Sequence, residues 1–192
     1  VLHAGVDFLS NRSLFRYFTQ LLDLRMLDYL RTERDQYLSR PVSLNLNVES
    51  LLSERFAQFD EILSPASKRG VVLEVPVVDA FADMTGFHVV RKRMQQLGYR
   101  VCLDGVTADS FNHIQREKLG VDLVKVQWNA GLLASGEERE NLTKAVRANG
   151  ASRVILCRCD NRQAVEYGQS VGIALFQGHY VESLVEPAKW SA

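Results

Sequence analysis

The sequence predicts an α/β fold built on one parallel sheet, in the form of a barrel that is incomplete in this chain. Three observations carry that prediction. Helical and strand-like segments alternate along the chain. Most strand-like segments are apolar throughout, as expected of strands covered by helices on both faces. Six of them can be counted in 192 residues, whereas a closed eight-stranded barrel takes about 250. The missing strands are therefore expected upstream of Val1. The competing architecture, an open doubly wound sheet, ordinarily opens on a glycine-rich first turn. No G-x-G-x-x-G and no P-loop occurs here.

The elements follow from local chemistry. Asn11 or Ser13 can cap a helix running to about Thr32, with Leu14, Phe18, Leu21, Leu22 and Leu30 at helical spacing. Arg40-Pro41 breaks the pattern, and Val42-Ser43-Leu44-Asn45-Leu46-Asn47 alternates as a short strand. Residues 49–64 read as a second helix, ending before Pro65. Val71-Val72-Leu73-Glu74-Val75-Pro76 is an apolar strand interrupted by one carboxylate. A helix over 86–97 stops at Gly98, which suits a left-handed cap. Strand 100–104, helix 108–118, strand 122–127 and helix 136–149, closed by Gly150, continue the alternation. Strand 153–157, helix 161–170 and a last strand over 173–176 complete it. The whole of 1–192 reads as a single domain, N-terminally incomplete and excised from a longer multidomain protein, since it opens on Val1.

Composition narrows the function classes. Lys+Arg and Asp+Glu are 23 each, so nothing advertises a nucleic-acid or acidic-membrane surface. No apolar run approaches the roughly 18 residues of a membrane span, and no secretory signal is visible. Three cysteines without framework spacing point to reduced thiols and a cytoplasmic location.

Barrel chemistry is built at the C-terminal ends of strands. Asn45, Glu74, Asp104 and Lys125 each lie on or at the end of a different predicted strand. Amide and carboxylate oxygens converging from several strands suit a hard cation such as Mg2+ or Ca2+. A nearby lysine can neutralise a phosphate or orient a water. The plainer reading of any one such residue is a turn or cap.

Five segments together resemble the EAL domain of bacterial cyclic di-GMP phosphodiesterases. Ser43-Leu44-Asn45-Leu46-Asn47 resembles that family's N-L-S strand, Leu73-Glu74-Val75-Pro76 its E-[LI]-T-E, and Cys102-Leu103-Asp104-Gly105-Val106 its D-D-F-G. Asp122-Leu123-Val124-Lys125-Val126-Gln127 resembles D-x-[IL]-K-[IL]-D, and Phe176-Gln177-Gly178-His179-Tyr180 resembles the closing Q-G-[YF]-x-[FY]. The resemblance implies a TIM-like (β/α) barrel of the EAL type. It also implies metal-ligand roles for Asn45, Glu74 and Asp104, assistance to the catalytic water by Lys125, and ligand contact by Gln177.

The departures are concrete. Gly105 stands where the family has the second aspartate of D-D. Leu156-Cys157-Arg158-Cys159-Asp160 replaces A-E-G-V-E, so Cys157 takes the place of a ligand glutamate and only Asp160 keeps a carboxylate. Gln127 replaces the aspartate after K-[IL], and the namesake E-A-L segment has no match. Two-metal hydrolysis needs a carboxylate-rich cage, and cysteine is a soft ligand that does not replace glutamate for Mg2+. Lys125, Asn45, Glu74 and Asp104, with Asp160, therefore read as a vestigial and incomplete set.

The expected function is a catalytically inactive EAL-like module acting on a protein partner or flanking signalling domains, with no cofactor. Mg2+ or Ca2+ enters only if part of the set still binds metal. The alternatives are a non-hydrolysing cyclic di-GMP receptor and a residual phosphodiesterase. No nucleic-acid or membrane partner is expected, and an exposed sheet edge offers a pairing surface for a homodimer. Cys157 and Cys159 read as buried small hydrophobes at a strand end. Trp128 and Trp190 read as local packing, and Arg91-Lys92-Arg93 as a solvated helix face.

Overall fold

The computed structural model describes residues 11–32, 40–133 and 136–185. Helix α1 spans Arg12–Thr32, and Asn11 is its cap, accepting the Leu14 N–H at 3.1 Å. The predicted apolar stripe is only partly the buried one. Leu27 and Leu30 are buried, whereas Phe18, Leu21 and Leu22 are exposed. The reason is polar. Asp23 sits inside and accepts from Asn47 N–H, Asn47 Nδ2 and Ser50 Oγ, which turns the residues four and seven positions on toward the core.

Strand β1 (Val42–Asn45) is shorter than the alternating pattern, because Asn47 already caps helix α2 (Val48–Leu51). The single helix expected over 49–64 is broken by Ser53, whose side chain caps α3 (Glu54–Glu61). It does end before Pro65, but Ser64 caps a further helix there, α4 (Pro65–Gly70), with proline in its favoured first turn. Strand β2 (Val71–Pro76) leads into α5 (Val77–Ala82) and α6 (Met84–Gln96), the latter capped by Asp83. Strand β3 (Arg100–Val106) follows.

The helix expected over 108–118 is two short ones, α7 (Ala108–Phe111) and α8 (Arg116–Leu119), because Gln115 is extended. Then come β4 (Leu123–Gln127), α9 (Gly136–Asn149), β5 (Val154–Cys157) and α10 (Arg162–Ser170). Strand β6 is only Leu175–Phe176, and it is followed by α11 (His179–Val185), which the sequence pattern does not announce.

The six strands pair in parallel and in chain order, β1-β2-β3-β4-β5-β6, and curl into a half-barrel. A doubly wound sheet would reverse its order midway; this one does not. Strand residues alternate between two apolar clusters. Leu73, Val101, Leu103, Val124, Val126, Val154 and Leu156 face the main core beneath the helices. Val72, Cys102, Leu123 and Ile155 form a separate cluster on the other face of the sheet. That face, the inside of the curl, carries the site. Among the described residues no helix is long and apolar enough to cross a membrane.

Candidate functional site

Strand register determines which side chains meet on the inner face. Asn45 lies beside Glu74, Glu74 beside Cys102, and Pro76 beside Asp104. Gln127 lies beside Cys157. Above the apolar Val72, Cys102, Leu123 and Ile155, the polar ends of five strands therefore ring one mouth. Asn45, Glu74, Asp104, Lys125, Gln127, Cys157, Arg158, Gln177, Gly178, His179 and Glu182 line a cavity of about 330 Å³ there. Five of the six residues singled out from the sequence thus come together: Asn45, Glu74, Asp104, Lys125 and Gln177.

The dominant interaction is an ion pair. Lys125 Nζ lies 2.5 Å from Glu74 Oε2, and the two side chains are 7% and 2% exposed. The contact reaches from β4 to β2 across Cys102. Burial pushes the Cys102 thiol well above its ordinary value, and the nearby Glu74 carboxylate adds to the rise. Burial likewise raises the Cys157 thiol, with Asp104 adding and Lys125 and Arg158 opposing. For both sulfurs burial thus favours the thiol over the thiolate.

Asp104 and Gly105 sit in an irregularity of β3. The β3–β4 register shifts between Leu103 and Val106, and Gly105 has φ +78°. Such a bulge re-aims side chains at a strand end. Here it leaves Asp104 half-buried at the mouth and puts no side chain beside it.

Asp160 does not join the group. Its Oδ1 accepts the His179 N–H at 3.0 Å, so it fastens the start of α11 to the loop after β5. The same two loops are joined by the Cys159 N–H donating to the Gln177 carbonyl at 3.0 Å. A Cβ on Gly178 would lie 2.5 Å from the Cys159 backbone, so only glycine permits that approach. Asp160 thus braces the segment that carries Gln177 and stands outside the lining of the mouth.

Residues that the sequence did not mark as site members are Arg158, His179 and Glu182. Arg158 has φ +62°, and among the described residues no other non-glycine has a positive φ. It stands where the family pattern has glycine, and that mismatch was the one available signal. Trp128 is buried and packs on Tyr167, their ring centroids 5.1 Å apart. Trp190 lies outside the described residues. Lys92 and Arg93 are exposed, as expected, while Arg91 is half-buried and bonds Gln95.

A second cavity, of about 620 Å³, opens beside the first, between α1 and α5. Asp79 on its wall accepts the Val48 N–H at 2.6 Å and pairs with Arg16 at 2.9 Å.

The mouth fits a hard divalent cation poorly. Among the described residues no three His, Cys, Asp or Glu side chains come together in a metal-binding group. Glu74 already carries a buried ammonium. Two unit charges about 4 Å apart interact by about 4 kcal/mol at an effective dielectric of 20, and a divalent ion doubles that repulsion. The remaining oxygen donors, Asp104 and the amides, offer one negative charge against it.

The model of the EAL domain family matches residues 5–183. Among solved structures, the Bacillus subtilis YkuI protein, with an EAL domain and in complex with substrate c-di-GMP and calcium, is similar at TM-score 0.66 and 18% identity, covering 94% of this chain and 44% of its own. A Vibrio cholerae LapD S helix-GGDEF-EAL structure bound to c-di-GMP is similar at TM-score 0.68 and 16% identity, covering 85% and 42%. The Xanthomonas citri FimX EAL domain in complex with c-di-GMP is similar at TM-score 0.64 and 12% identity, covering 91% and 74%. At these identities the likeness is one of fold, and this chain spans less than half the length of the first two. No curated protein matches. With nearly its whole length matched by the family model and its six-stranded half-barrel shared with these structures, the chain belongs to the EAL domain family.

Proposed function

We propose that this domain is a catalytically inactive EAL module that acts in cyclic di-GMP-type signalling through contacts with a protein partner or with flanking domains. The observation that carries the reading is the buried Glu74–Lys125 pair at 2.5 Å, in a mouth where Gly105 and Cys157 stand in the family's carboxylate positions. Phosphodiester hydrolysis through a metal pair relies on several carboxylates for charge balance. This mouth offers Glu74, already neutralised, and Asp104. Asn45 and Lys125 are then vestiges of the metal and water positions, and no step of hydrolysis is assigned to them.

A second reading is a receptor that holds cyclic di-GMP without cutting it. It is favoured by Gln177 and Arg158, which are both exposed at the mouth. The YkuI, LapD and FimX structures all contain c-di-GMP, and a guanidinium is suited to phosphate.

Incubation of the full chain with cyclic di-GMP and Mg2+, Mn2+ or Ca2+, analysed for linear dinucleotide, tests the main reading. No product is expected, and turnover overturns it. Calorimetric titration of the same mixtures separates the two readings. Saturable heat without product makes the domain a receptor, and absence of heat leaves protein contact as its mode of action.

A further inference from the structure

Neutral composition hides a separation of charge. Lys+Arg and Asp+Glu are equal over the chain, yet exposed cations gather where the strands begin. The strands run parallel and in chain order, so their starts lie side by side at the end of the sheet opposite the mouth. Arg40 precedes β1, Arg100 is the first residue of β3, and Arg153 immediately precedes β5. Arg69, Lys118 and Arg147 lie in the last turns of α4, α8 and α9, whose ends lead into β2, β4 and β5. All six are exposed, and none has an ion pair or a side-chain hydrogen bond among the described residues.

Most acids described at this end are already engaged. Asp60 accepts from Lys68 Nζ at 2.6 Å and from the Tyr99 hydroxyl at 2.8 Å. Asp122 accepts the Val101 N–H at 2.8 Å and Gln95 Nε2 at 2.9 Å. Glu117 faces Arg116 at 3.5 Å, and Glu61 is exposed at the end of α3. The rim is therefore net basic. A cation at a helix C-terminus has a plain structural role, complementing the helix dipole by about 0.3–1 kcal/mol. That accounts for Arg69, Lys118 and Arg147. It does not account for Arg40 and Arg100, which belong to no helix, or for Arg153, which closes a single 3-10 turn. Barrel chemistry is built at the other end of the strands, so these charges serve no reaction at the mouth.

We propose that this rim is a docking surface for an acidic protein segment, a short run of Asp and Glu side chains on a partner or a flanking domain. The proposal rests on reading the domain as one that acts by protein contact, and it gives that contact its chemistry. Five of the six cations are arginines, whose planar forks pair with carboxylates in bidentate fashion. With the whole chain neutral, a basic rim leaves the rest of the surface net acidic. An extended polyanion, such as a lipid bilayer or a nucleic-acid duplex, would meet that acidic remainder as well as the rim. A short acidic segment meets the rim alone.

Fluorescence anisotropy of a labelled glutamate decapeptide with the native full chain at low salt tests the proposal. Saturable binding is expected, weakening as ionic strength rises. Arg69→Gln/Arg100→Gln should weaken it by about tenfold. Arg139→Gln/Lys144→Gln, on exposed positions of α9, removes the same formal charge away from the rim and should change it by less than about twofold. Arg69→Lys/Arg100→Lys keeps the charge without the fork and should lose about threefold. Where Arg69→Gln/Arg100→Gln does not keep the native Tm, Arg40→Gln/Arg153→Gln carries the comparison.

The docking surface is overturned by absence of saturable binding or by an equal loss in the rim and α9 variants. Tighter binding to phosphatidylserine vesicles or to duplex DNA than to the peptide overturns it as well. Each of those results leaves the inactive-domain reading standing. Linear product from cyclic di-GMP sinks that reading without touching the peptide titration.

Discussion

The two neighbouring cavities use buried carboxylates in opposite ways. Beside the α1–α5 cavity, Asp23 accepts the Asn47 N–H and two side-chain donors, and Asp79 accepts the Val48 N–H. Both are fastened to main chain, and they fix the loop that follows β1. At the strand-end mouth the Glu74 carboxylate has one hydrogen-bond partner among the described residues, the Lys125 ammonium. A carboxylate bound to backbone amides is part of the frame. One bound only to another side chain has its charge open to exchange. The difference sets carboxylates fastened to the frame beside the first cavity and a carboxylate held by a side chain in the second.

Removing single members of each set separates the two roles. Lys125→Met leaves Glu74 buried and unpaired, and its expected cost in metal-free buffer is the largest, about 3–5 kcal/mol in urea unfolding. Glu74→Gln/Lys125→Met should recover most of that loss. Equal costs for single and double variants would show that the pair is not what matters. Asp23→Ala strands the Asn47 N–H and Ser50 Oγ, for roughly 2–3 kcal/mol. That loss should leave Mn2+ and cyclic di-GMP titrations unchanged.

Cys159, in the loop after β5 that is bonded to the Gln177 carbonyl, gives a pH handle on the strand-end side. Burial raises its thiol to about 11. A folded value above the unfolded one means that its stabilising effect is complete below pH about 9 and is lost as pH rises toward about 11, on the order of 2 kcal/mol. Urea midpoints across that window should fall in the native chain and fall less in Cys159→Ala. The smallest effect is expected at Arg158. Glycine there relieves a left-handed conformation and raises stability by less than about 1 kcal/mol. The same change should weaken any cyclic di-GMP titration that the native chain shows.

Much of this was legible in the residues. Apolar runs such as Val71–Val75 and the left-handed stops at Gly98 and Gly150 mark strands and helix ends by strong, local chemistry. Asn45, Glu74, Asp104, Lys125 and Gln177 converge because strand ends of a parallel barrel share one mouth. What stayed hidden depends on partners far along the chain. The Glu74–Lys125 contact spans 51 positions. Asp160 turned out to fasten α11, because the main-chain donor it meets, at His179, comes from a helix that the sequence pattern did not announce. The buried face of α1 was misread because Asp23, a polar residue, sets it through Asn47 and Ser50. Ser53 and Gln115 broke helices that periodicity alone would continue.

Gly105 has one more consequence. The nearest atoms to a Cβ built there are Gln127 Nε2 and Val77 Cγ1, each at 3.9 Å. Its φ of +78° is one that aspartate tolerates better than most residues. A first side-chain carbon at position 105 would thus meet no atom closer than ordinary van der Waals contact, and the left-handed backbone, not crowding, is what favours glycine there.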